Sequence, residues 1–204
     1  MSGRTDPRAV RTIGALRQAV VELASQRPLS QITVAELADR AGVTRATFYN
    51  RYGTALEPLT EVLYADLEAG HRLEEQSRAD GQSGQVLLRL AVTGVAEHVE
   101  RFGAVYRNTL ADPADRGVYD AMVRHFSDYA IRFLARADDP GRPDADHRVI
   151  AQFLAHGFTG AIKAWLSDPA VTREDLVDAA IACAPAWWTA CATASDGPLA
   201  PPTT

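Results

Sequence analysis

The chain reads as all-α, with about nine helices divided between a three-helix N-terminal unit and a larger helical body. Three observations predict this. Apolar residues recur at three- and four-residue spacing through nearly every long segment. Capping pairs of the S/T-x-x-E/D kind mark helix starts at Thr33 with Glu36, Thr54 with Glu57 and Thr172 with Asp175. Pro28, Gly42, Gly53, Gly103 and Pro169 punctuate the gaps.

In chain order, Asp6 is the expected N-cap of the first helix and Pro7 its first residue, since proline lacks an N–H that would go unbonded there anyway. Val10, Ile13, Leu16, Val20, Leu23 and Ala24 form its stripe as far as Gln26, and Pro28 stops it. The Thr33–Glu36 box opens the second helix, with Val34, Leu37 and Ala38 on one face. Gly42 suits the left-handed position that closes a helix. Thr44 caps the third helix, and Val43 and Phe48 can pack back on the second. Gly53 ends it. The Thr54–Glu57 box starts the fourth at Ala55, with Pro58 harmless in the first turn. That helix runs through Leu63, Tyr64, Leu67 and His71 to about Arg78, and Gly81 to Gly84 form a loop.

The fifth helix spans about Gln85 to Arg101, carrying Val86, Leu87, Leu90, Val95 and His98. Gly103 separates it from a short sixth with Val105, Tyr106 and Leu110. Asp112-Pro113 opens the seventh, whose stripe is Val118, Met122, Phe126, Tyr129 and Phe133. Residues 138–143 form a loop. The eighth helix covers about Asp144 to Leu166, and the ninth runs from the Thr172 cap to near Thr193. The tail, 195–204, holds too few core residues to fold. The expected divisions are therefore 1–55, 56–194 and a disordered 195–204.

The second and third helices with their tight turn are a helix-turn-helix, the motif whose second helix enters the DNA major groove. Around it, Ile32-Thr33-Val34, Leu37-Ala38, Arg40-Ala41-Gly42-Val43-Thr44 and Thr47-Phe48-Tyr49 with Tyr52 resemble the tetracycline-repressor (TetR) family of bacterial regulators. The resemblance covers roughly residues 10–60; beyond them the chain is similar only in helicity and length. It implies a homodimer that binds a duplex DNA operator through the head and an unknown small-molecule effector through the body. Two positions depart from the family pattern. Arg51-Tyr52 stands where a His-Phe pair is frequent, and Ala55 stands where a Lys usually holds the DNA backbone.

On this resemblance Arg45 and Thr47 are expected at base edges, with Ala46 on the same face. Thr33, Thr44, Tyr49, Asn50 and Arg51 are expected at phosphates. Charge agrees. The chain is −5 overall, but residues 1–60 carry eight Arg against five acidic residues, a basic head on an acidic body. Arg outnumbers Lys twenty to one, a bias typical of GC-rich bacterial genomes.

No run of about 18 apolar residues suggests a membrane span, and the N-terminus has no signal-type apolar stretch, so a cytoplasmic protein is expected. Phosphate-binding glycine loops, nucleophile elbows and zinc signatures are missing, so neither an enzyme nor a cofactor is expected.

The eighth helix is apolar on two sides, Ile150, Leu154, Gly157, Ala161 and Ala164 on one and Ala151, Ala155, Phe158, Ile162 and Leu166 on the other. The ninth carries Leu176, Val177, Ala180, Ile181, Trp187 and Trp188. In the family the last two helices form the dimer interface, which the resemblance implies here. Tyr64, His98, Tyr106, Met122, His125, Tyr129, Phe133, Phe153 and His156 are the expected lining of an effector pocket inside helices four to eight. No i, i+4 His pair or Glu-x-x-His motif backs a metal at His98, His125 and His156, so no metal is expected. Cys183 and Cys191, eight apart on one expected helix, are too distant for a disulfide and read as small core residues.

The resulting expectation is a homodimeric, ligand-responsive repressor in which effector binding moves the fourth helix and the head. The alternative, motivated by Ala55, is a TetR-like protein with weakened or lost DNA binding that acts through a ligand or protein partner.

Overall fold

A computed structural model of the chain describes residues 7–136 and 143–190. The Asp6 cap, most of the 138–143 loop, Cys191 and the 195–204 tail lie outside them. Among the described residues there are ten α-helices and no strand. They are α1 (Pro7–Ala24), α2 (Val34–Arg40), α3 (Arg45–Tyr49), α4 (Leu56–Ala79), α5 (Gly84–Arg101), α6 (Gly103–Ala111), α7 (Arg116–Arg136), α8 (His147–Ser167), α9 (Arg173–Cys183) and α10 (Ala186–Ala190). Short 3-10 turns at Leu29–Gln31 and Pro113–Asp115 precede α2 and α7.

Local chemistry accounts for most boundaries. Thr33 Oγ1 accepts the Glu36 N–H at 3.2 Å, and Thr172 and Asp175 form a full capping box. Several starts differ from expectation, among them α7, which begins at Arg116 behind the 3-10 turn that Asp112 caps. α4 begins at Leu56, one residue late, where the Glu57 carboxylate reaches back past Thr54 to the Gly53 N–H at 2.9 Å. α8 begins at His147 because Asp146 accepts the Arg148 N–H.

The larger correction concerns the ninth helix, which does not reach Thr193. It stops at Cys183, and α10 restarts at Ala186. Pro185 is the cause, since it supplies no N–H and its ring clashes with the preceding turn. Cys183 and Cys191 therefore do not share an unbroken helix, and Cys183 is exposed rather than a core residue.

One apolar core runs through head and body, from Leu16, Val20 and Leu23 on α1 through Phe48 and Leu59 to Val118, Ile162 and Leu176. Polar contacts tie the two regions together. The buried Asp115 carboxylate accepts the Leu29 and Ser30 N–H groups, each at 2.6 Å, and Asn108 Nδ2 donates to the Ala24 carbonyl at 2.9 Å. At Gly117 a Cβ would sit 2.6 Å from Leu56 Cδ2, so a glycine there lets the start of α7 abut the start of α4.

α7 and α8 form the most extensive helix pair. α8 buries Ala151, Ala155, Thr159 and Ile162. Its opposite face is open: Val149 is 68% exposed and Phe153 80%, in line with exposed Gly157, Gly160 and Ala164. Among the described residues no helix is long and apolar enough to cross a membrane.

Candidate nucleic-acid interface and effector cavity

The head is held by short-range bonds. α2 ends in a Schellman motif: Val43 N–H donates to the Ala38 carbonyl at 2.9 Å and Gly42 N–H to the Asp39 carbonyl at 3.0 Å, with Gly42 at φ +67°. Thr44 Oγ1 then accepts the Thr47 N–H at 3.1 Å and starts α3. Phe48 and Tyr52 are buried beneath the helix. With those two anchored inward, Thr44, Arg45, Ala46, Tyr49, Asn50 and Arg51 face solvent, as does Thr33 at the start of α2. Thr47 is half-buried, its hydroxyl 2.9 Å from that of Thr44. Tyr49 is 59% exposed, so it does not pack between α1 and α4.

Behind this surface, Glu61 of α4 is a junction. Its Oε2 accepts from Arg17 Nη2 at 2.7 Å and from the Tyr52 hydroxyl at 2.6 Å, while Arg51 Nη2 stands 3.6 Å from Oε1. Burial pushes the Glu61 pKa up, but the bonds from Tyr52 and Arg17 outweigh it and hold it below the ordinary carboxylate value. Burial and then Glu61 raise the Tyr52 phenol, which stays neutral and donates. One α4 side chain thus joins α1 to the residues that close the α3 turn.

A cavity of about 400 Å³ lies among α5, α7, α8, α9 and α10, with His71 of α4 in its wall. Val92, Phe126, Phe158 and Trp188 give it an aliphatic and aromatic lining. Of the expected pocket residues, Tyr129 and Phe153 line it, Phe153 from the exposed face of α8. The other expected residues stand elsewhere, because the helical stripe that carries them packs on neighbouring helices rather than on the void. Tyr64 donates its hydroxyl to the Ala121 carbonyl at 2.6 Å. Met122 is in the core. Phe133 is buried and stacks on Trp188, ring centroids 4.3 Å apart. His156 is exposed, with Nδ1 3.3 Å from the Tyr119 hydroxyl.

His98 and Tyr106 belong to a buried chain. His98 Nδ1 is 2.7 Å from Asp66 Oδ2, and Nε2 is 2.7 Å from the Tyr106 hydroxyl. Burial lowers the His98 pKa despite the nearby carboxylate, so the ring is neutral, donating to Asp66 and accepting from Tyr106.

His125 is buried and stacks on His71, centroids 5.1 Å apart, rather than reaching the cavity. Neither His98 nor His156 joins it. The residues that do are Glu68 and His71. Glu68-Ala69-Gly70-His71 is a Glu-x-x-His spacing that puts both side chains on one face of α4, and it was the readable sign of this cluster.

Residues 16–54 match the family model of bacterial regulatory proteins of the tetR family. No curated protein sequence matches the chain. Among solved structures, the chain is similar to Thermus thermophilus FadR, a TetR-family repressor in complex with lauroyl-CoA, at 19% identity and TM-score 0.61, covering 83% of this chain and 91% of that one. It is similar to Pseudomonas aeruginosa NalD, the secondary repressor of the MexAB-OprM multidrug efflux pump, at 21% identity and TM-score 0.58, covering 84% and 96%. RolR in complex with resorcinol matches at 16% identity and TM-score 0.61, covering 97% and 99%. At these identities the structural matches speak for the fold, and the helix-turn-helix segment speaks for the family. Residues 16–54 thus carry the helix-turn-helix pattern of the TetR family, and the chain has the fold of TetR-family structures from the head through the helical body.

Proposed function

We propose that this chain is a cytoplasmic, homodimeric transcriptional repressor whose hold on DNA is weakened by a small, largely apolar effector. The observation that carries this reading is the solvent-facing row Thr44, Arg45, Ala46, Tyr49, Asn50 and Arg51 on a helix anchored from beneath by Phe48 and Tyr52. Arg45 and Thr47 read base edges, and Thr33, Thr44, Tyr49, Asn50 and Arg51 hold phosphates. The open apolar face of α8, with Val149 and Phe153, supports dimerisation through α8 and α9, which would set two recognition helices about 34–36 Å apart. The chain acts by binding rather than catalysis.

The effector occupies the cavity, whose character resembles that of sites for molecules such as the acyl-CoA of FadR and the resorcinol of RolR. α4 carries the signal. His71 in the cavity wall and Glu61 under the recognition helix are ten residues apart on it, about 15 Å along the axis. A shift of α4 at the cavity moves Glu61, and through Tyr52 and Arg51 the recognition helix. The effect is limited to the effector's difference in affinity between the two states.

The test is a mobility shift on the DNA flanking the chain's own gene. Arg45→Ala should cost about 1–3 kcal/mol and relax specificity at one operator position. Uniform weakening across sequences would move Arg45 to a phosphate. A folded dimer that binds none of that DNA would favour a protein acting through ligand or partner alone.

A further inference from the structure

We propose that Glu68 and His71 of α4 and His125 of α7 form a binding site for one divalent transition metal ion of the zinc class. One ligating atom from each of the three lies within 4.8 Å of the other two. His71 Nδ1 and His125 Nε2 are buried and, among the described residues, have no hydrogen-bond partner. Glu68 Oε1 is 3.6 Å from His71 Nδ1, beyond hydrogen-bond reach. Two buried imidazole nitrogens left without partners are costly, and a ligand that meets both removes that cost.

The donor set selects the kind of ligand. Two imidazole nitrogens and one carboxylate suit zinc, cobalt or nickel, whereas magnesium and calcium take oxygen donors. In the tautomers that leave His71 Nδ1 and His125 Nε2 unprotonated, both unpartnered nitrogens and the Glu68 carboxylate offer lone pairs to one cation.

The surroundings brace the ligands. The His71 and His125 rings stack within 10° of parallel, so one ring must turn about its side-chain torsions to aim its in-plane lone pair at a shared ion. Tyr129 stacks on the far side of His71, at 4.4 Å, and donates its hydroxyl to buried Glu74 at 2.5 Å. One competing cation is present, since Arg132 Nη2 donates to Glu68 Oε1 at 3.0 Å. Its side chain is half-exposed, and Asp128 stands one helical turn earlier, so a metal can displace it toward solvent. The bound ion would pin α4 to α7 at the cavity wall. The site itself does not depend on the DNA-binding reading.

The test uses the full-length chain without a polyhistidine tag, stripped with chelator and titrated with Co(II). The expected result is visible d–d absorption of a low-coordinate nitrogen and oxygen site, saturating at one equivalent per chain and displaced by Zn(II). Zn(II) should also raise the melting temperature. Glu68→Gln, a shape-preserving change on a half-exposed side chain, should abolish the absorption, as should His71→Gln and His125→Asn. His156→Gln, on the exposed histidine of α8, should leave it intact. Absence of absorption in the wild-type chain would leave a hydrated or empty polar pocket and overturn the proposal. So would absorption that survives Glu68→Gln and His71→Gln, or is lost with His156.

Discussion

The head and the body encode their working parts over different distances. In the head, the capping and turn bonds that shape the recognition helix join residues three to five apart: Thr33 to Glu36, Ala38 to Val43, Thr44 to Thr47 and Phe48 to Tyr52. In the body, the cavity is walled by residues from His71 to Trp188, on six helices. A recognition surface can be specified locally because it only has to be presented. A cavity is what remains after helices pack, so it depends on every pairwise docking at once. Glu61 is where the two kinds of construction meet, an α4 residue that reaches both α1 and the end of the recognition turn.

The sharpest way to break this division is through the open face of α8. If that face is the dimer interface, Phe153→Glu removes an apolar anchor and places an unpaired charge where a partner subunit packs. The cost is on the order of 3–5 kcal/mol at the interface. Because Phe153 is 80% exposed within one subunit, the helical content should be unchanged. Sedimentation or light scattering should show folded monomers. A dimer of wild-type strength would remove α8 from the interface and return the face to the cavity mouth alone.

Why the head was readable and the cavity was not follows from these distances. Thr33, Gly42, Thr44 and Phe48 take their roles from near neighbours, and the structure places each where its sequence context predicts. Tyr64, Met122 and Phe133 obey the same helical periodicity as Tyr129, yet only Tyr129 of the four reaches the cavity. Periodicity says that a residue faces inward, not whether it meets another side chain or a void. Two features of the body do carry a local sequence signal. Pro185 marks the break after α9, and Glu68-Ala69-Gly70-His71 marks the polar cluster. The pairing of His98 with Asp66 and Tyr106 had no comparable signal, since three helices must dock before it exists.

That buried chain supplies a test of smaller size. His98 is held neutral because burial outweighs the pull of Asp66, so its folded pKa lies below the usual value of about 6.5. Below that pH the unfolded chain takes up a proton that the folded one resists. Stability should therefore be full above about pH 6.5 and fall as the pH drops from there, by no more than about 1.4 kcal/mol per pH unit for this one group. Denaturant melts across that range should show the slope, and His98→Gln should flatten it. His71 and His125 are shifted the same way, so part of the slope should persist. An unchanged slope in the variant would mean that His98 carries its proton in both states, and that Tyr106 is not its donor.

The smallest expected effect sharpens the head. Ala55 stands where related regulators usually present a lysine to the DNA backbone, immediately before α4 begins at Leu56. It is half-buried, packed against the apolar core beside exposed Gly53 and Thr54. A lysine has a four-carbon stem that can leave such a position and carry its ammonium into solvent. Each new phosphate contact releases a counterion and adds about 0.9 to the salt slope for duplex DNA, so a dimer gains nearly two units. Against this stands a mild penalty for a cation at a helix N-terminus, about 0.3–1 kcal/mol at low ionic strength. Ala55→Lys should therefore tighten operator binding at low salt and steepen its salt dependence, with little change in folding stability. Should binding stay the same at every salt concentration, the start of α4 does not face the backbone. The head would then lie on DNA with α3 and the Thr33 end of α2 alone, and Arg51 would carry the backbone contact that Ala55 lacks.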